Sequence, residues 1–156
     1  MKILLDTTYL MPAIGVRVKE ISPDALSLIR GGGHETAISE VSLLELSAKG
    51  AKLAASGALT AERVTRGVTA AKRDADLEKI QITDEDVLRT SISLRGWHSD
   101  YLDCLKLSSA INRCDVLLTE DTLIHALTRE EHYRGLIREV NPEFAVSSHK
   151  ALPGLM

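Results

Sequence analysis

The sequence is poor in aromatic residues and cysteine, and it has no long hydrophobic run. Aromatic residues make up 3% of the 156 residues, too few for a surface that binds single strands mainly by stacking their bases. No apolar run approaches the ~18 residues that a membrane span needs, and the apolar start at residues 1–6 is too short for a signal peptide. Cys104 and Cys114 match no metal or redox spacing, so we expect two reduced, buried thiols and a cytoplasmic protein.

A positive net charge is also missing. The chain has 19 Lys and Arg against 22 Asp and Glu, which gives a formal charge of −3. This balance argues against non-specific phosphate binding as the main activity, although a cation held by clustered carboxylates can reverse the local sign. The basic excess lies between Lys49 and Lys79, with seven Lys or Arg and four acids. That segment is either a solvated helical hairpin or a surface that contacts a phosphate backbone.

Short apolar runs alternate with helical patterns along the whole chain. We predict strands at residues 2–5, 35–39, 79–82, 115–119 and 135–140. Helices are predicted at residues 7–14, 22–31, 40–53, 60–73, 83–96, 101–112 and 121–131. The glycines at 31–33 are interpreted as a helix end, because no Walker lysine accompanies them. The alternation predicts one α/β domain over residues 1–156, with a mostly parallel sheet covered on both faces and an extended helical segment at about 48–76.

Acidic residues follow two of the predicted strands. Asp6 ends the first strand, and Asp121 follows the strand that ends at Thr119. Ligands of open parallel sheets bind beyond the carboxyl ends of the strands, but each aspartate alone is better explained as a helix N-cap. Glu45 and Asp103 border the apolar stripes of predicted helices. Three further acids are more simply explained as solvated or helix-start residues, namely Glu40, Asp100 and Glu120.

Four short motifs, in chain order, resemble those of the PIN-domain nucleases. They are Asp6-Thr7-Thr8-Tyr9-Leu10, the segment from Ile38-Ser39 to Glu45-Leu46, Asp103-Cys104-Leu105 with Ala110, and Leu118-Thr119-Glu120-Asp121. Asn141-Pro142-Glu143-Phe144 is similar to the sequence that often closes the last strand of that family. The resemblance implies a three-layer α/β/α sandwich and a metal-dependent endoribonuclease. It implies a catalytic and metal-binding quartet of Asp6, Glu45, Asp103 and Asp121, with Thr8 and Thr119 as supporting hydroxyls.

The resemblance also implies partners. The largest subgroup comprises VapC-like toxins of type II toxin–antitoxin pairs, which cleave RNA, are silenced by an antitoxin protein and often form homodimers. Helices at 25–30 and 48–73 are the candidate surfaces for an antitoxin. Two alternatives stay open: an RNA-processing nuclease of the same family without an antitoxin, and a catalytically silent binding module.

Electrostatics independently favours a cation at the quartet. Two unit charges 4 Å apart repel by ~4 kcal/mol at an effective dielectric constant of ~20, so converging carboxylates need bound cations or protons. Oxygen ligands without histidine or cysteine favour Mg²⁺ or Mn²⁺ over Zn²⁺, and the five histidines show no pair at a metal-ligand spacing. A haloacid-dehalogenase-type phosphohydrolase would need a second aspartate two residues after Asp6, where Thr8 stands.

Overall fold

The structure, a computed structural model, describes residues 1–151. Its centre is a single sheet of five parallel strands in the order β3-β2-β1-β4-β5. The strands are β1 (Lys2–Leu5), β2 (Glu35–Ser39), β3 (Leu77–Ile80), β4 (Val116–Leu118) and β5 (Ala145–Ser147). Every strand pair is parallel because helices return the chain to the same edge between strands.

Helical segments connect the strands. A 3₁₀ helix (Thr7–Ile14) and α1 (Ala25–Gly31) lie between β1 and β2, and α2 (Glu40–Ala55) and α3 (Ala61–Arg73) between β2 and β3. The crossover from β3 to β4 contains α4 (Glu85–Arg95) and α5 (Tyr101–Arg113). The last crossover contains α6 (Thr122–Leu127) and α7 (Glu131–Val140), and a short 3₁₀ turn (His149–Ala151) follows β5.

Two hydrophobic cores lie on opposite faces of the sheet. Side chains alternate between the two faces of a strand, so Ile3 and Leu5 enter one core and Leu4 enters the other. The 3₁₀ helix, α1 and α2 contribute to the first core, and the helices from α4 to α7 contribute to the second. The three-layer α/β/α class that the resemblance implied is therefore confirmed.

The predicted strand at 135–140 is wrong. These residues belong to α7, and the last strand is Ala145–Ser147. Tyr133 and Ile137, four residues apart, are buried on one face, while the charged side chains between and after them are exposed. This is helical periodicity. The apolar residues Leu136, Ile137 and Val140 resemble a strand only when Tyr133, one helical turn before Ile137, is left out of the pattern.

Smaller differences concern element boundaries. The strand predicted at 79–82 begins two residues earlier, α1 begins at Ala25 rather than at residue 22, and the helix predicted at 121–131 ends at Leu127. The first helix is of the 3₁₀ type and contains Pro12. As predicted, α1 ends at the glycines, where Gly33 has a φ of 79°.

The fold also bears on two expectations about thiols and membranes. Cys104 and Cys114 are free and buried, as predicted. Within residues 1–151, no helix combines the length and the apolar character that crossing a bilayer requires.

The connectivity reverses beside β1. From β1 the chain continues to β2 on one side, whereas β4 occupies the other side. The carboxyl ends of β1 and β4 therefore form a topological switch point, where open α/β sheets bind ligands. The two ends are joined by a backbone hydrogen bond, in which the Asp6 amide donates to the carbonyl of Leu118 at 3.0 Å.

Candidate active site

Asp6 lies at the switch point, in the residue between β1 and the 3₁₀ helix. Its Oδ1 accepts a hydrogen bond from the Thr7 amide at 2.7 Å, and its Oδ2 accepts one from the Thr119 hydroxyl at 2.6 Å. The side chain is 7% exposed. Asp6 thus caps the 3₁₀ helix, as an N-cap aspartate does, and also points a fixed carboxylate into the space beside β4.

The ammonium group of Lys106 lies at the centre of the acidic residues. Its Nζ is 2.8 Å from Asp6 Oδ1, 3.0 Å from Asp103 Oδ1 and 3.2 Å from Glu45 Oε1. The Lys106 side chain is 5% exposed. Three carboxylates from three different elements therefore share one buried cation; we call Asp6, Glu45, Asp103 and Lys106 the acid cluster.

Two helices bring Glu45 and Asp103 to Asp6. Glu45 lies in the second turn of α2, which starts directly at the end of β2, and Asp103 lies in the first turn of α5. Lys106 follows Asp103 by three residues, so both face the same side of α5. The second oxygen of Asp103 is 3.1 Å from Nε2 of His98, a buried residue in the turn before α5. The carboxylate of Asp103 is thus held on both sides.

The carboxyl groups of Asp6 and Glu45 have pKa values shifted in opposite directions. Burial alone would raise the pKa of Asp6, but Lys106 and the hydrogen bonds from Thr119 and Thr7 lower it below its ordinary value. Burial raises the pKa of Glu45, and the attraction of Lys106 does not cancel this because the charges of Asp6 and Asp103 add to it. The pKa of Lys106 is raised by the three carboxylates against the effect of burial. Lys106 is thus held in its charged form.

Asp121 lies next to the acid cluster but does not enter it. Its Oδ1 accepts hydrogen bonds from the amides of Leu123 and Ile124, which caps α6. The link to Asp6 is indirect: the Thr119 hydroxyl donates to Asp6 and accepts from the Asp121 amide at 3.1 Å. Within residues 1–151, no hydrogen bond or ion pair joins the Asp121 carboxylate to the other three acids.

The remaining residues singled out in the sequence have other surroundings. Thr119 lies between Asp6 and Asp121, whereas Thr8 is half-buried in the 3₁₀ helix and the adjacent Thr7 supplies the amide that contacts Asp6. Asp100 caps α5 and Glu40 is exposed at the start of α2, in keeping with their interpretation as helix-start acids.

Glu120 differs from that interpretation. It accepts hydrogen bonds from the Tyr9 hydroxyl and the His149 amide, both at 2.6 Å. Burial and the neighbouring Glu120 raise the pKa of the Tyr9 hydroxyl, so the phenol stays protonated and donates to the carboxylate. Glu120 therefore ties the segment after β5 to the 3₁₀ helix beside the cluster.

Lys106 and His98 were missed as site residues. Lys106 had one usable signal, since it is the only charged residue in the run from Cys104 to Ile111, which is otherwise apolar, small or hydroxylated and is fully buried. A charge in such a run needs a buried partner. His98 lies in a short loop with no periodicity, and its contact with Asp103 depends on how that loop packs.

The donor chemistry of the cluster fits a hard cation, because carboxylate oxygens are the ligands that Mg²⁺ and Mn²⁺ prefer. Glu45 Oε1 is buried and lacks a hydrogen-bond partner of good geometry within the described part of the chain. Nevertheless, among residues 1–151 no group of three or more His, Cys, Asp or Glu side chains is arranged so that it could hold a metal ion. In this arrangement the ammonium of Lys106 lies between the three carboxylates.

The basic residues between Lys49 and Lys79 differ in their contacts: some are paired and others are exposed. Arg63 donates to the Ala13 carbonyl, Arg66 pairs with Glu62, and Lys79 donates to the Asp74 carbonyl. Five cationic side chains of the segment are exposed: Arg66, which pairs with Glu62, Lys49 and Lys52 on α2, and Lys72 and Arg73 at the end of α3. The segment is thus a helical hairpin with part of its charge free to meet a phosphate backbone.

No protein-family model matches the sequence, and no curated protein matches it. Among solved structures, this chain is similar to one in the crystal structure of VapBC2 from Rickettsia felis bound to a DNA fragment from their promoter. The two chains are 19% identical and superpose with a TM-score of 0.55, over 95% of this chain and 98% of that one. At this identity the likeness is one of fold. Together with the five-stranded parallel sheet, it supports the three-layer α/β/α fold that the sequence resemblance implied.

Proposed function

We propose that this protein is a Mg²⁺- or Mn²⁺-dependent endoribonuclease that hydrolyses RNA phosphodiester bonds. The observation that carries the proposal is the convergence of Asp6, Glu45 and Asp103 from three separate elements at the switch point of the sheet, with Asp121 one hydrogen-bonded step away. Buried carboxylates that repel one another are costly for folding. Their accumulation at the position where such sheets bind ligands favours a catalytic role over a structural one.

The chain's own residues orient the acids. Thr7 and Thr119 hold both oxygens of Asp6, His98 holds one oxygen of Asp103, and the first turn of α6 holds Asp121. In this proposal Asp6, Glu45, Asp103 and Asp121 would hold a hard divalent ion. When bound, such an ion supplies activation of a water molecule and neutralisation of the phosphate charge. The hydroxyl of Thr119 fixes the relative position of Asp6 and Asp121, and Thr8 is the second candidate hydroxyl.

We further propose that the nuclease is the toxin of a type II pair and acts in the cytoplasm. The likeness in fold to a chain of VapBC2 supports this role, and two free buried thiols suit a reducing compartment. The partner would be an antitoxin protein, with the surfaces of α1 and of the α2–α3 hairpin as its candidate docking sites. The homodimer implied by the resemblance stays a prediction. Growth arrest on expression, relieved by a protein encoded beside it, would distinguish a toxin from an RNA-processing nuclease.

The test is digestion of mixed cellular RNA by the wild-type protein and by Asp6→Asn and Asp121→Asn, with Mg²⁺, with Mn²⁺ and with a chelator. We expect cleavage only with a divalent ion, and a loss of at least about a hundredfold in each variant, as when one preorganised electrostatic group is removed from an active site. Asp24→Asn is the matched control, because Asp24 is exposed and its side chain makes no capping hydrogen bond.

A second candidate function is a catalytically silent binding module. The observation that favours it is the ammonium of Lys106 between the three carboxylates, which already neutralises part of their charge. Absence of RNA cleavage under every metal condition would support the silent module. Cleavage by Asp6→Asn at the wild-type rate would contradict the nuclease proposal.

A further inference from the structure

Lys106 is unusual among the buried residues of α5. Its neighbours from Cys104 to Ile111 are all buried, and the polar ones among them, Ser108 and Ser109, satisfy their hydroxyls by donating to backbone carbonyls. A lysine ammonium cannot be satisfied in this way at low cost, because burial of an unpaired charge is strongly unfavourable. The three carboxylates compensate for its burial.

Lys106 and the three carboxylates neutralise one another, but the ammonium does not contact the three acids equally closely. The ammonium is closest to Asp6 and Asp103 and farthest from Glu45, at 2.8, 3.0 and 3.2 Å. One positive charge faces three carboxylates, so the cluster keeps an excess of negative charge. Glu45, whose Oε1 lacks a partner of good hydrogen-bond geometry among residues 1–151, is the acid that Lys106 neutralises least. The cluster therefore still attracts cations, but its centre is filled.

We propose that Lys106 is a built-in counter-ion that sets the affinity of the acid cluster for divalent cations. Its ammonium takes a cation position between Asp6, Glu45 and Asp103, and a divalent ion at the same carboxylates binds in competition with it. The inference deepens the proposed function, on which it rests, by assigning regulation of the metal site to one side chain of α5. It follows that the protein folds without a divalent ion, and that Lys106 makes metal binding weaker than the acids alone would give.

The test compares Mn²⁺ binding, measured by calorimetry and by the Mn²⁺ spin-resonance signal, in four proteins. Lys106→Met keeps the length of the side chain and removes its charge, whereas Lys106→Arg keeps the charge. Lys19→Met changes the net charge by the same amount at an exposed position. We expect Lys106→Met to bind Mn²⁺ at least about tenfold more tightly than the wild type, because a positive charge beside the site is gone. Lys19→Met should match the wild type, and Lys106→Arg should bind no more tightly.

Thermal unfolding supplies a second readout. Without a divalent ion, Lys106→Met should unfold at a lower temperature than the wild type, because its carboxylates have lost their counter-ion. Added Mn²⁺ should raise the unfolding temperature of this variant more than that of the wild type. If Lys106→Met does not fold, the wild-type protein provides the test instead, through the ¹⁵N NMR signal of the Lys106 ammonium. This signal is assigned by its absence in Lys106→Arg. Competition predicts that this signal shifts or disappears as Mg²⁺ is added.

Equal Mn²⁺ affinity of the wild type and Lys106→Met, or no binding by either, would overturn the inference, as would an ammonium signal unchanged at saturating Mg²⁺. These outcomes are separable from failure of the proposed function. If the wild type and Lys106→Met bind Mn²⁺ equally and RNA cleavage depends on metal, the counter-ion role is contradicted and the nuclease proposal is retained. If Lys106→Met binds Mn²⁺ more tightly than the wild type but none of the proteins cleaves RNA, the counter-ion role is supported and the nuclease proposal is contradicted.

Discussion

Asp6 and Glu45 contact the same ammonium, yet ionisation of their side chains affects stability in opposite ways. The pKa of Asp6 is lowered from 3.8 in the folded protein, so its stabilising contribution is present above that value and is lost as the pH falls through the folded pKa. The pKa of Glu45 is raised from 4.5. The folded state then holds a proton on Glu45 more tightly than the unfolded chain, and ionisation of Glu45 lowers stability as the pH rises through the folded pKa.

This difference predicts the behaviour of Glu45→Gln. Without divalent ions at pH 7, the variant should unfold at a higher temperature than the wild type, because a carboxylate whose charge is disfavoured has been removed. The gain should disappear well below pH 4.5, the ordinary pKa of the residue, since Glu45 is then protonated in both states. Thermal unfolding between pH 3 and 8 measures it. Glu143→Gln, at an exposed position, is the control. A Glu45→Gln protein less stable than the wild type at pH 7 would contradict a raised pKa of Glu45.

Among the helices, α5 contributes most to the candidate site. Asp100 caps its start, Asp103 and Lys106 lie on one side, and the small residue Ser109 allows close approach to the sheet, where its hydroxyl is 3.1 Å from that of Ser39 at the end of β2. The sequence predicted this helix, and the helix-start role of Asp100, from local patterns. It did not predict which charged side chain of α5 would lie in the interior.

The helix α7 permits a direct stability test. Gly135 lies inside it, and a Cβ added there would meet no atom within 4 Å. Gly135→Ala should therefore raise the free energy of unfolding by about 0.5–1 kcal/mol, the usual difference between alanine and glycine in a helix interior. Urea-induced unfolding measures the change.

Gly67→Ala is the opposing control for this measurement. Gly67 lies in α3, where an added Cβ would overlap the backbone carbonyl of Ala13. The variant should be destabilised, because one backbone segment must move away from the other. A loss of stability in Gly135→Ala comparable to that in Gly67→Ala would mean that residue 135 does not have the helical surroundings described.

The protein carries a net charge of −3, so attraction of RNA has to come from local groups of basic residues. Lys49 and Lys52 follow Glu45 by four and seven residues on α2 and are exposed. This spacing places them on the helix face that carries Glu45, about 6 and 10 Å along the axis. Lys72 and Arg73 precede β3 and therefore lie towards the opposite edge of the parallel sheet.

We predict that the double variant Lys49→Gln with Lys52→Gln weakens RNA binding by about tenfold. The slope of log K, the RNA association constant, against log salt concentration should become smaller by about 1.4, as expected for two lost contacts to single-stranded phosphates. Fluorescence anisotropy with a labelled RNA over a series of salt concentrations measures both, in the Asp6→Asn background to prevent cleavage. Lys72→Gln with Arg73→Gln makes the same change of charge and should have the smaller effect. Equal losses in the two double variants would exclude α2 as the specific path of the RNA.

Local patterns in the chain were sufficient to predict the alternation of strands and helices and the burial of the cysteines. They also predicted that β1 and β4 end at the candidate acids. Each of these features depends on the periodicity and caps of a short segment. The local patterns failed at α7, where an apolar run fitted both periods. The meeting of Asp6 with Lys106, a hundred residues apart, and of His98 with Asp103 depends on how α5 and the turn before it pack against the sheet. Tertiary packing therefore decided that the centre of the acid cluster holds an ammonium, because only the folded chain brings these charges into contact.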